Sequence, residues 1–113
     1  MANFIIEEFK HYKVFLYGRN AKGERTDYGI QFRIPSGKVF LKFTHDFKQS
    51  NYFEPEGGHT NFYVFFRVEK YPAFIDIFRY EKPLYFFYNM DNNQAYVTTS
   101  DEPVGEEESN NED

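Results

Sequence analysis

His11, His45 and His59 are the only imidazoles in the chain. A zinc site needs two or three at helical or hairpin spacing, with a carboxylate nearby. His45 and His59 share a stretch with Asp46, Glu54 and Glu56, but no H-x-H or H-x-x-x-H spacing groups them. Isolated surface histidines are therefore expected, with no metal. Ser36 and Ser50 are the only serines before Ser100, and neither lies in the G-x-S-x-G setting of a strained nucleophile turn. Glu54 and Glu56 flank Pro55; extended, they would share a face, as paired carboxylates for glycoside hydrolysis must. The polar stretch around them reads instead as a solvated loop. Gly57-Gly58 has no following Lys-Ser/Thr, so it is not a phosphate loop. Asp91-Asn92-Asn93 lacks the central Gly and distal Glu of a calcium loop. Zero Cys removes thiol catalysis, thiolate zinc sites, iron–sulfur clusters and disulfides. No residue is assigned a catalytic role, no cofactor is implied, and a non-enzymatic protein is expected.

Binding chemistry has more to work with. The chain holds 15 Phe and 10 Tyr but no Trp, three Leu and four Ala. Part of that set follows the inward alternation of strands and serves as a Phe-rich core. The rest shares strand faces with bases. One such face is Lys13, Phe15, Tyr17, Arg19; a second is Lys38, Phe40, Lys42; a third is Tyr63, Phe65, Arg67. Tyr, Phe and Arg are enriched at the cores of protein interfaces. Rings interleaved with bases are also what a single-stranded nucleic acid uses, stacking on the rings while Lys and Arg neutralise phosphates. The expected working surface is Lys13, Tyr17, Arg19, Lys38, Phe40, Lys42, Tyr63 and Arg67, with Tyr52 and Phe53 from the long connection.

The elements that must position these residues read as strands joined by turns. Period-2 alternation marks His11–Arg19, Thr26–Ile34, Lys38–Thr44, Asn61–Glu69 and Ala73–Tyr80, while Leu84–Met90 is a nearly continuous apolar strand and Gln94–Thr99 a short β-branched one. Polar or Gly/Pro-containing turns separate them. Few Leu and Ala argue against a helical bundle. An all-β domain over residues 1–99 is expected, a small antiparallel barrel or sandwich of about seven strands. Asn3–Lys10 favours a short helix or irregular lead-in, with an eighth strand as the alternative. Thr44–Thr60 is long for a structureless loop; it has room for a short helix at Asp46–Asn51 or a strand at Tyr52–Glu54.

The last fourteen residues, SDEPVGEEESNNED, hold seven acids, no base and no aromatic. Such a segment buries too little apolar surface to offset its ordering entropy, so residues 100–113 are expected to be a disordered acidic tail. The net charge of −5 originates there: without those acids, eleven remain against thirteen bases. In layout alone this resembles single-stranded-DNA-binding proteins, which join an aromatic barrel to an acidic C-terminus. The tail here ends Asn110-Asn111-Glu112-Asp113, without a hydrophobic anchor, and no motif matches. The leading expectation is a protein-interaction or adaptor module acting through an aromatic-rich sheet face, binding a protein partner or itself as a homodimer. The alternative is a single-stranded nucleic-acid-binding protein with an autoinhibitory acidic tail. No stretch approaches the roughly 20 apolar residues of a membrane helix. The opening MANFIIEEFKHYK lacks a basic lead, so neither signal peptide nor membrane is expected, and the location expected is cytoplasmic.

Overall fold

The computed structural model describes residues 3–16, 28–45 and 49–100. Tyr17, Arg19 and residues 101–113 of the expected acidic tail lie outside them. Eight strands and one helix follow in order: β1 Phe4–Phe9, β2 Tyr12–Leu16, β3 Tyr28–Ile34, β4 Gly37–Thr44, β5 Tyr52–Glu56, β6 His59–Arg67, α1 Tyr71–Tyr80, β7 Leu84–Asn89 and β8 Gln94–Thr99. A 3-10 turn, Val68–Lys70, leads into the helix. The strands form two sheets, of order β1-β7-β8 and β2-β3-β4-β6-β5, and no barrel closes among the described residues. None of these residues forms a helix long and apolar enough to cross a membrane.

Both sheets contribute to one core. On the five-stranded sheet the inward residues include Ile30, Phe32, Val39, Leu41, Phe43, Phe62 and Val64; the other sheet supplies Phe9, Leu84, Phe86 and Tyr88. Rings fill the space between. Phe9 stacks on Phe32 at 3.8 Å between centroids, and Phe86 meets Phe32 and Phe62 edge-on at 5.7 and 5.6 Å. Each fully buried Phe contributes about 1.5–3 kcal/mol relative to an exposed one. Tyr88 is enclosed too, so its hydroxyl needs a partner; it donates to Asn93 Oδ1 at 2.7 Å. Burial pushes this phenol up to about 12.

Three expectations change. Ala73–Tyr80 is a helix, not a strand. Its apolar residues Tyr71, Phe74, Ile75 and Phe78 recur at i, i+3, i+4 and i+7, one face of a helix. Pro72 sits in the first turn, where its missing N–H costs nothing. That face covers the end of the five-stranded sheet that the smaller sheet leaves open: Phe74 lies against Phe43 and Phe66, and Phe78 against Phe9 and Phe32. Second, Phe4–Phe9 is a strand rather than a helix, because Ile5 and Phe9 turn inward while Phe4, Ile6 and Glu8 turn out. Third, the sheets are not wholly antiparallel. Tyr52–Glu56 forms a strand, and the β5–β6 hairpin, turning at Gly57-Gly58 with φ of 56° and 87°, inserts β6 beside β4 in parallel. No helix is present at residues 49–51; the rest of the helix considered at Asp46–Asn51 lies outside the described residues.

The β3–β4 turn is held from both sides. Glu7 accepts from the Ser36 N–H at 2.9 Å and from its hydroxyl at 2.6 Å, and the Thr60 N–H donates to the Ser36 carbonyl at 2.9 Å. Thr60 passes so close to Gly37 that a Cβ there would collide with its carbonyl. Gly37→Ala must push β6 away from the turn. The expected outcome is a loss of about 1–3 kcal/mol, measured by urea denaturation, whereas Gly57→Ala meets no neighbour and costs only its backbone strain.

Candidate binding face of the five-stranded sheet

Strand parity assigns each residue to one side of the sheet. With Val39, Leu41, Phe43, Phe62 and Val64 turned to the core, Lys38, Phe40, Lys42, Tyr63, Phe65 and Arg67 must face outward. Register then aligns them. Lys13 lies opposite Gln31, Gln31 opposite Phe40, Phe40 opposite Tyr63 and Tyr63 opposite Tyr52. This row crosses all five strands. Beside it runs a row of Phe15, Gly29, Lys42 and Phe65. On its other side Arg33 faces Lys38, and Asn61 faces Glu54. The described residues of the three mixed faces identified in the sequence thus occupy one side of one sheet.

The rings form a ladder. Phe40 and Tyr63 stack at 5.0 Å with planes 8° apart; Tyr63 and Tyr52 stack at 4.6 Å and 15°. Tyr52 also covers Phe65 at 6.2 Å, and Lys42 Nζ sits 5.6 Å from the Tyr63 ring centre and 5.9 Å from that of Phe65. Such cross-strand pairs stabilise a sheet, and the cation over the rings adds about 0.5–1 kcal/mol. Phe65 is buried although it faces outward, because Tyr52 and Lys42 close over it. Its N–H donates to Asn51 Oδ1 at 2.8 Å, fixing the chain just before β5.

Charge is graded across the face. Lys13, Arg33, Lys38 and Lys42 lie on β2, β3 and β4, whereas Glu54 and Glu56 lie on β5 at the far edge. Asn61 joins the two halves, accepting from the Lys38 N–H at 3.4 Å and donating to Glu56 Oε1 at 2.8 Å. Desolvation, followed by the Glu54 and Glu56 carboxylates, raises the Tyr63 phenol; desolvation, Tyr63 and Glu54 raise Tyr52.

Of the expected surface, Lys13, Lys38, Phe40, Lys42, Tyr52, Tyr63 and Arg67 share this side. Phe53 does not. Parity in β5 turns it inward, where it meets Tyr88 edge-on at 5.8 Å. Arg33 and Phe65 belong to the face; alternation in Thr26–Ile34 and Asn61–Glu69 already placed both opposite the core residues. His45 and His59 lie at opposite ends of the parallel pair β4–β6, about 30 Å apart at roughly 3.3 Å per residue. Comparisons with models of protein families, with curated proteins and with solved structures gave no match.

The raised phenols set a pH dependence. A folded-state pKa above the unfolded value means the unfolded chain releases its proton first, so stability holds below the ordinary value of 10.0 and falls as pH rises beyond it. Absorbance titration is expected to find Tyr52 and Tyr63 ionising above 10. Glu54→Gln should bring both down part of the way, leaving the larger desolvation contribution in place.

Proposed function

We propose that this chain is a non-enzymatic interaction module that takes an acidic protein surface on the outer face of its five-stranded sheet. One observation carries the reading: the ring ladder of Phe40, Tyr63 and Tyr52 lies in the same plane as the cations Lys13, Arg33, Lys38 and Lys42. Rings standing side by side present their edges to solvent. Those edges carry the positive end of the ring quadrupole, so they attract carboxylates, as the neighbouring ammonium and guanidinium groups do. The partner's acids pair with β2–β4, and Glu54 and Glu56 repel them from β5. The charge gradient thereby sets orientation, which is what electrostatic complementarity contributes most strongly.

The nucleic-acid reading is favoured by the same cations and disfavoured by the ring geometry. Base stacking needs an open ring face, and here the faces of Tyr63 are occupied by Phe40 and Tyr52. In that second reading the acidic tail competes for the cationic face.

Peptide display against the full chain tests the proposal. Selected peptides are expected to interleave Asp or Glu with apolar residues, and to lose about tenfold or more in affinity against Tyr63→Ala or Lys42→Glu. Peptides without acidic enrichment, or affinities indifferent to both variants, would contradict it. Single-stranded DNA titrated at two salt concentrations separates the readings: salt-sensitive binding that strengthens on truncation to residues 1–99 would favour nucleic acid.

A further inference from the structure

Two cavities adjoin where Lys10 and His11 carry the chain from β1 to β2. One, of about 400 Å³, is lined by Lys10, His11, Lys13 and Arg33 together with Tyr12 and Phe32. No described carboxylate lines it. Three cations and an imidazole gathered without a facing acid attract an anion. The second cavity, of about 460 Å³, shares Lys10, His11 and Tyr12 and continues over Phe78, Pro83 and Leu84.

The C-terminal segment starts beside these cavities. Thr99 pairs with Leu84, and Leu84 with Phe9, the residue before Lys10. At about 4.8 Å per strand, β8 ends about 10 Å from Phe9. Beyond Ser100 the sequence runs Asp101-Glu102-Pro103-Val104-Gly105-Glu106-Glu107-Glu108. Glu106 is six residues past Ser100, a reach of about 20 Å when extended, twice that separation.

Charge and order select the occupant. Of the segments outside the described residues, 17–27 carries Arg19, Lys22 and Arg25 against Glu24 and Asp27, 46–48 carries one acid and one base, and 1–2 carries neither. Residues 101–113 carry seven acids and no base. Their order matches that of the cavities. Pro103 and Val104 precede the three glutamates, as the more apolar cavity, reaching Leu84 of β7, precedes the cationic one, reaching Arg33 of β3. Attachment at the rim also gives these acids an effective concentration of about millimolar, ahead of a free anion of the same chemistry.

We infer that the joined cavities are the docking site of the chain's own acidic segment, with Pro103 and Val104 against Phe78 and Leu84, and Glu106, Glu107 and Glu108 against Lys10, Lys13 and Arg33. Lys13 and Arg33 also belong to the ladder face, so the docked segment withholds two of its cations; that consequence alone rests on the peptide-binding reading.

The chain has no Cys, so a nitroxide on Ser109→Cys marks a single site. NMR of the labelled full chain is expected to show amide broadening at Lys10, His11, Lys13 and Arg33 that exceeds the broadening at Lys42 and Gln94. About 1 M salt should remove it, as should the triple variant Glu106→Gln, Glu107→Gln, Glu108→Gln; Val104→Ser, which keeps every acid, should lower it. Broadening centred on the ladder, broadening that only declines with distance from Thr99, or a signal indifferent to salt or to either variant would overturn the inference. So would inorganic phosphate shifting the cavity amides of a chain whose label leaves them sharp, which marks a site for free anions instead. No peptide enters this measurement, so its failure is separable from failure of the ladder. The glutamine variant should bind the display-selected peptides several-fold more tightly; equal affinity would contradict the consequence for the ladder.

Discussion

The strands of the five-stranded sheet carry large side chains on both faces, and a sheet can turn only one face to a given core. Everything else in the architecture depends on that constraint. The inner rings of β3, β4 and β6 require a cover wider than three short strands can supply. Helix α1 completes it, with Phe74 and Phe78 over Phe43 and Phe32. The outer rings receive no such cover. They reduce their exposure by stacking on one another across strands, and by accepting the Lys42 side chain along their flanks. The ladder is therefore both a structural solution and the most distinctive surface on the molecule.

Turn chemistry gives that surface its order. The Gly57-Gly58 hairpin places β6 in parallel beside β4, which brings Phe40 opposite Tyr63. It then sets β5 outside, bringing Tyr52 to the end of the row and Glu54 and Glu56 to the rim. Gly37 keeps the neighbouring turn tight against Thr60. Acid and base thus separate across the face because of where two glycine-containing turns send the chain.

Much of this was legible in the residues. Alternation placed Lys38, Phe40, Lys42, Tyr63 and Arg67 opposite core residues, and the structure keeps them there. Strand order was not legible, since it depends on long-range pairing; only the register shows that the described residues of the three mixed strand faces converge. Tyr71–Tyr80 misled because Phe74, Ile75, Ile77 and Phe78 satisfy a short alternating window as well as a helical one. The helical spacing extending back to Tyr71, with Pro72 in the first turn, was the signal that separates them. Phe53 misled because loop membership says nothing of direction; once Tyr52–Glu56 became a strand, parity sent it inward. The row Thr99, Leu84 and Phe9 was hidden by the helical reading of Asn3–Lys10.

The proposed binding mode requires that both faces of the Tyr63 ring stay closed to bases by stacking on Phe40 and Tyr52, so that ring edges and cations meet the partner. The most direct measurement is the proton NMR spectrum of the Phe40 and Tyr63 rings as single-stranded oligothymidine is added at low salt. The ring resonances are expected to stay in place, because no base enters the stack. Upfield displacement of both rings, saturating with oligonucleotide, would contradict it by showing that the ladder opens to stack on bases.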